Sequence, residues 1–98
     1  MNTTWVVAAV VIALGSGTMA FAASEPPAGA ASCTGCHAAK AGVQSPVPPL
    51  AGRSAADTVA QMQAFRTGQR PATVMDRVAK GFSEAETQAI ADWYAQQH

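Results

Sequence analysis

Charge is scarce in this sequence. Lys, Arg, Asp and Glu make up 12% of 98 residues, six basic against six acidic, and none falls in Met1–Ala23. A formal net charge of zero gives no long-range attraction to nucleic acid or an acidic membrane surface, so neither partner is expected. Aromatic residues are only 6%. No stretch alternates apolar and polar residues as a half-buried strand does, which leaves no βαβ setting. Cysteine occurs twice, and only His98 remains outside the Cys33–His37 stretch as a further good N or S ligand. That is too few for a four-ligand zinc site.

The uncharged N-terminus is the longest apolar feature. Trp5–Leu14 is a run of ten apolar residues, broken by Gly15, Ser16 and Gly17. Ten residues of helix span about 15 Å, half of a hydrocarbon core of roughly 30 Å. Ala20-Phe21-Ala22 places small residues where a signal peptidase needs them. The expectation is an exported, periplasmic protein: residues 1–22 as a cleaved signal peptide, 23–98 as one domain, and no stable membrane span after cleavage. The n-region departs from the pattern in having no Lys or Arg, and retention as an anchor is the rival reading.

Cleavage would leave 76 residues, with Phe65, Phe82, Trp93 and Tyr94 as the remaining aromatics. A chain so short and alanine-rich builds a thin core and needs a supplement. The two cysteines indicate one. Cys33-Thr34-Gly35-Cys36-His37 is the C-x-x-C-H pattern of covalent haem attachment. Positions three apart on a helical turn face the same side, so both sulfurs can meet the two vinyl groups of one haem. The adjacent imidazole then reaches the iron. Two rivals are a thioredoxin-like redox pair, which needs the missing βαβ unit, and a plain disulfide in an exported protein.

The rest reads as helices and loops. Ala30–Ala41 is expected to be a short helix ended by Gly42. Gly42–Arg53, with Pro46, Pro48, Pro49 and Gly52, is a loop. Ser54 and Asp57 start a helix that runs to Thr67 and stops at Gly68, with Ala55, Val59, Met62 and Phe65 on its apolar face. Pro71 marks a second loop, and Val74–Lys80 a short helical turn. Ser83 and Glu86 cap a last helix bearing Ile90, Trp93 and Tyr94, of which at least one is expected to pack on the first helix. The fold class is all-α, three main helices and long loops around one haem.

An electron-transfer iron usually has a second axial ligand. Met75, carried just beyond the Pro71 loop, is the expected one. Met62 sits on a helical stripe where methionine commonly fills a core. His98 is terminal, and an open site is the last alternative.

Cys33–His37, Pro48-Pro49-Leu50-Ala51-Gly52, a loop methionine and a final aromatic helix together resemble a class I cytochrome c. The stretch Phe65–Ser83 resembles more particularly the cytochrome subunit of sulfide dehydrogenase, a flavocytochrome c. That resemblance implies one covalent haem c on Cys33 and Cys36, His37 and Met75 as axial ligands, and a proline carbonyl at the position of Pro48 holding the second ring nitrogen of His37. It also implies a non-enzymatic role: one-electron transfer from the flavin (FAD) subunit of a sulfide-oxidising enzyme. A free periplasmic carrier serving other redox proteins is the alternative, and a haem-based sensor or ligand-binding protein a more distant one. Arg66, Arg70, Arg77 and Lys80 could ring the haem edge for an acidic partner, but zero net charge favours ordinary solvated charges balanced by Asp76, Glu84 and Glu86.

Overall fold

The computed structural model describes Gly17 and residues 25–98. The expected leader 1–22, apart from Gly17, and its cleavage point lie outside the described residues. Among the described residues the chain is all-α, with no strand: α1 (Ala30–Cys33), α2 (Ala55–Thr67), α3 (Met75–Lys80) and α4 (Glu84–Ala95). None of these helices is long and apolar enough to cross a membrane.

The two long helices begin and end where their caps dictate. Ser54 Oγ accepts from the Asp57 backbone N–H at 3.3 Å, satisfying one of the free donors of the first turn of α2. Gly68 ends α2 in the left-handed conformation, φ 77°. At α4 the exchange is reciprocal. Ser83 Oγ accepts from Glu86 N–H at 3.1 Å, and the Glu86 carboxylate accepts from Ser83 N–H at 2.8 Å.

The first helix differs from expectation. It stops at Cys33 rather than running to Ala41, so the architecture is two long helices and two short ones instead of three main helices. Side-chain hydroxyls explain part of this. Ser32 Oγ donates to Gly29 O at 2.6 Å and Thr34 Oγ1 to Ala31 O at 2.7 Å, competing locally with the helical ladder. Gly35 then adds a residue of poor helix propensity. The chain continues as turns, with His37 N–H bonded to Cys33 O at 2.9 Å.

The core is small. Ala30, Ile90 and Tyr94 are buried together, with Cys33, Leu50, Phe82 and Trp93 packed against them. Tyr94 Oη donates to Ala30 O at 2.6 Å, joining α4 to the start of α1 across 64 residues. Tyr94 thus makes the expected contact with the first helix, and Trp93 meets the Tyr94 ring edge-on at 4.9 Å. Only glycine serves at position 29: its φ is 86°, and a Cβ there would lie 2.6 Å from Phe82 Cε1. Helix α2 packs on α3 and α4 yet contains no fully buried residue, because its inner face borders a cavity.

Candidate haem-binding site

The cavity encloses about 440 Å³, within the range of small-molecule and cofactor sites. Cys33, Cys36 and His37 line it from the α1 turn. Met75 and Val78 of α3 line it together with Val74 at the N-cap, as do Phe82 and Ile90. Residues 38 apart in sequence, His37 and Met75, therefore border one space.

Each is placed by its own local structure. Cys33 ends α1 and is half-buried, whereas Cys36 is exposed on the following turn, and the two are not joined as a disulfide. Burial pushes the Cys33 thiol above its ordinary pKa, with hydrogen bonds from Tyr94 and Ser32 opposing. Cys33 is a neutral thiol at neutral pH. His37 Nδ1 lies 2.6 Å from the Pro48 carbonyl oxygen. A carbonyl only accepts, so Nδ1 carries the donating hydrogen and the neutral ring keeps its lone pair on Nε2. The Pro48 loop is itself anchored: Leu50 packs on the core, and Gly52 N–H donates to Tyr94 O at 3.0 Å. The left-handed Gly52, φ 73°, makes that turn against α4.

Met75 is the first residue of α3 and is half-buried. Met62 also lines the cavity, from the middle of α2, so two thioethers face it. His98 is exposed at the C-terminus and is not among the lining residues. The α2 stripe that meets the cavity is Thr58, Gln61, Met62 and Phe65. Of the four residues expected on its apolar face, Met62 and Phe65 line the cavity, and Ala55 and Val59 do not. Thr58 and Gln61 escaped the sequence reading because a search for apolar periodicity passes over polar residues.

Arg66 was also missed. It was grouped with the surface cations, yet its Nη2 donates to Ala79 O at 3.2 Å and to Phe82 O. It is thus a partly buried strap from α2 to the C-terminal carbonyls of α3, while Arg77 and Lys80 are exposed. No local pattern announces a bond to residues 13 and 16 positions away.

The donor set fits a haem. Two thiols sit at the spacing for thioether attachment, one imidazole is held with its lone pair free, and thioether sulfur borders a largely apolar cavity. The all-α fold and this set are compatible with a small cytochrome.

No family model matches the chain. Three curated proteins resemble it. It is 42% identical over 67 residues to a thiosulfate dehydrogenase electron acceptor of Stutzerimonas stutzeri (strain A1501), covering 64% of this chain and 31% of that protein. It is 41% identical over 73 residues to a thiosulfate dehydrogenase electron acceptor of Thiomonas intermedia (strain K12), covering 70% and 34%. It is 35% identical over 63 residues to the cytochrome subunit of sulfide dehydrogenase of Chlorobaculum tepidum, covering 64% and 57%. The chain spans about a third of the first two relatives and rather more than half of the third. These likenesses support a small cytochrome c.

Proposed function

We propose that this chain carries single electrons on one covalently attached haem c, accepting them from a dehydrogenase that oxidises thiosulfate or sulfide. The observation that carries the reading is the meeting of Cys33, Cys36, His37 and Met75 around one apolar cavity, with His37 Nδ1 bonded to Pro48 O. The names of the relatives, two electron acceptors and one cytochrome subunit, support a non-catalytic role.

When bound, haem supplies a one-electron couple between ferrous and ferric iron. Cys33 and Cys36 hold it as thioethers. His37 offers Nε2 to the iron, and the Pro48 carbonyl fixes the ring's orientation and strengthens its basicity. Met75 would offer sulfur from the start of α3. Its place at the first residue of a short helix, next to a loop, lets it approach the iron with less constraint than Met62 in the middle of α2. A thioether ligand favours the less charged ferrous state, and the apolar lining acts in the same direction. With His37 and Met75 both holding the iron, no place would be left on it for a substrate.

The donor is the finer part of the reading. Sulfide chemistry is supported by the Chlorobaculum relative, and a flavoprotein subunit bearing FAD as partner by the resemblance of Phe65–Ser83 alone. Thiosulfate chemistry is supported by the other two relatives. The apolar run Trp5–Leu14 and the small residues Ala20 and Ala22 support export to the periplasm, with 23–98 as the haem domain. The test is reduction of the purified holoprotein by each class of dehydrogenase with its own substrate. Rapid reduction by one assigns the donor. Failure with both, in protein whose haem is covalent and reducible by dithionite, would overturn the dehydrogenase reading and leave a carrier with other partners.

A further inference from the structure

Asp76 stands apart from the other acidic residues. Glu25, Asp57, Glu84, Glu86 and Asp92 are all exposed, whereas Asp76 is half-buried in the first turn of α3, next to Met75. Its Oδ1 is shielded from solvent and has no hydrogen-bond partner among the described residues. The nearby cations do not answer it. Arg66 is committed to the Ala79 and Phe82 carbonyls, and Arg77 and Lys80 are exposed. Nor does it cap its helix, whose N-cap is Val74 with no side-chain bond. Val74, Met75 and Val78 border the cavity and Asp76 does not. The carboxylate thus lies outside the cavity, one residue from the expected iron ligand.

A shielded carboxylate oxygen without a partner costs stability, and an amide or apolar residue of similar size would avoid most of that cost. Folded proteins keep few such atoms, and a redox role is one reason to keep one. We infer that Asp76 is a fixed negative charge that favours ferric iron and so offsets the pull of Met75 and the apolar lining toward the ferrous form. The inference rests on the haem reading above, with Met75 as the ligand. Ferric haem carries one more positive charge than ferrous haem. A carboxylate screened from water by protein acts on that charge more strongly than a surface carboxylate does, and salt weakens it less. A carrier must release its electron as well as take it. A charge opposing the thioether keeps release favourable, and ferric iron supplies the opposite charge that Asp76 does not find among the described residues.

The experiment uses the holoprotein with Asp76→Asn, Asp76→Glu and Glu84→Gln, Glu84 being an exposed carboxylate of α4. One electron passes between a mediator of fixed potential and the haem iron, with no bond made or broken. Asp76→Asn is expected to raise the equilibrium constant for reduction by about three- to tenfold. The rise should differ little between low and high salt. Asp76→Glu, which keeps the charge, should stay near the parent, and Glu84→Gln should shift the constant less and only at low salt. Denaturant titrations give a second reading. Linkage requires Asp76→Asn to favour the folded ferrous protein over the folded ferric one by the same factor as the rise in the reduction constant. A carboxylate with a structural role alone would move both redox states equally and leave the constant unchanged, and that result would overturn the inference. So would an equal rise in Glu84→Gln, or loss of the far-red methionine–iron band in Asp76→Asn, which would make Asp76 a support for α3. Absence of covalent haem in the unsubstituted protein would overturn the underlying reading, and it is seen before any variant is made.

Discussion

The Nδ1 nitrogen of His37 and the carbonyl oxygen of Pro48 stand 2.6 Å apart, across 11 residues of proline-rich loop. This contact gives a histidine on an irregular turn one bonded nitrogen and one free lone pair. It settles which nitrogen bears the hydrogen, and it fixes the plane of the ring. The loop can hold the carbonyl there because Pro46, Pro48 and Pro49 limit its backbone freedom and Gly52 ties it to α4.

Pro48→Gly tests this arrangement without deleting the carbonyl. The substitution frees the backbone at position 48 and increases the entropy lost on folding, at a cost of about 1 kcal/mol. The ring N–H of His37 should exchange with solvent faster in the variant than in the parent. An unchanged exchange rate, read by NMR in the holoprotein, would show that the loop is fixed by other contacts.

Gly29→Ala should be destabilising through two independent effects. The positive φ strains any side chain, and the new methyl group would meet Phe82 at 2.6 Å. A loss of about 2 kcal/mol is expected from such strain and overpacking, read as a lower denaturant midpoint with unchanged slope. The haem spectrum at low denaturant should change little, since Gly29 does not line the cavity.

Much of this frame is legible in the sequence. C-x-x-C-H marks the turn that brings Cys33, Cys36 and His37 to the cavity, and Ser54, Gly68 and Ser83 set the ends of the long helices because capping is local chemistry. The short α1 was not legible, because the alanines of 38–41 suggest a helix while the hydroxyls of Ser32 and Thr34 and the flexibility of Gly35 work against it. Nor was the polar wall of the cavity. Thr58 and Gln61 fall outside the apolar stripe of α2, and only the tertiary structure reveals that they border the cavity. Arg66 needed the tertiary structure for the same reason.

Tyr94 predicts a pH dependence. Burial pushes its phenol up to about 12 from an ordinary value near 10, and in the chain without haem a Cys33 thiolate adds to the effect at alkaline pH. The neutral phenol is therefore the form the fold prefers. Its contribution to stability is fully present below pH 10 and is lost as pH rises from 10 through 12. Tyr94→Phe removes the bond from Tyr94 Oη to Ala30 O, costing about 0.5–1.5 kcal/mol at neutral pH. The variant should lose less additional stability than the parent between pH 10 and 12, measured by urea titration. An equal loss would place the alkaline sensitivity elsewhere.

Met62 and Met75 both border the cavity, so ligand identity is open to direct test. With Met75 as the iron ligand, Met75→Ala abolishes the far-red methionine–iron band of the ferric protein and opens the reduced iron to carbon monoxide. Met62→Ala keeps the band and costs about 2–5 kcal/mol at most, as truncation of a packed methionine does. The opposite pattern would transfer the ligand to α2. A band surviving in neither variant would show that the two thioethers depend on each other's packing.

Arg66 gives the last prediction, because it acts on Met75 from a distance. Helix α3 has six residues, too few to hold its position by its own hydrogen bonds, and Met75 is at its first turn. The guanidinium of Arg66 fixes the other end through Ala79 O and Phe82 O. Charged donors to carbonyls contribute about 1.5–3 kcal/mol, and Arg66→Gln should lose most of that. The loss should be concentrated in α3 rather than spread through the fold. On heating, the methionine–iron band should disappear well before the helical circular dichroism in Arg66→Gln, whereas in the parent the two fall together or nearly so. Arg66→Lys, which keeps the charge but not the planar fork, should lie between them. Coincident loss of band and helix in Arg66→Gln would mean that α3 is held chiefly by its packing on α2, with the arginine contributing only to global stability.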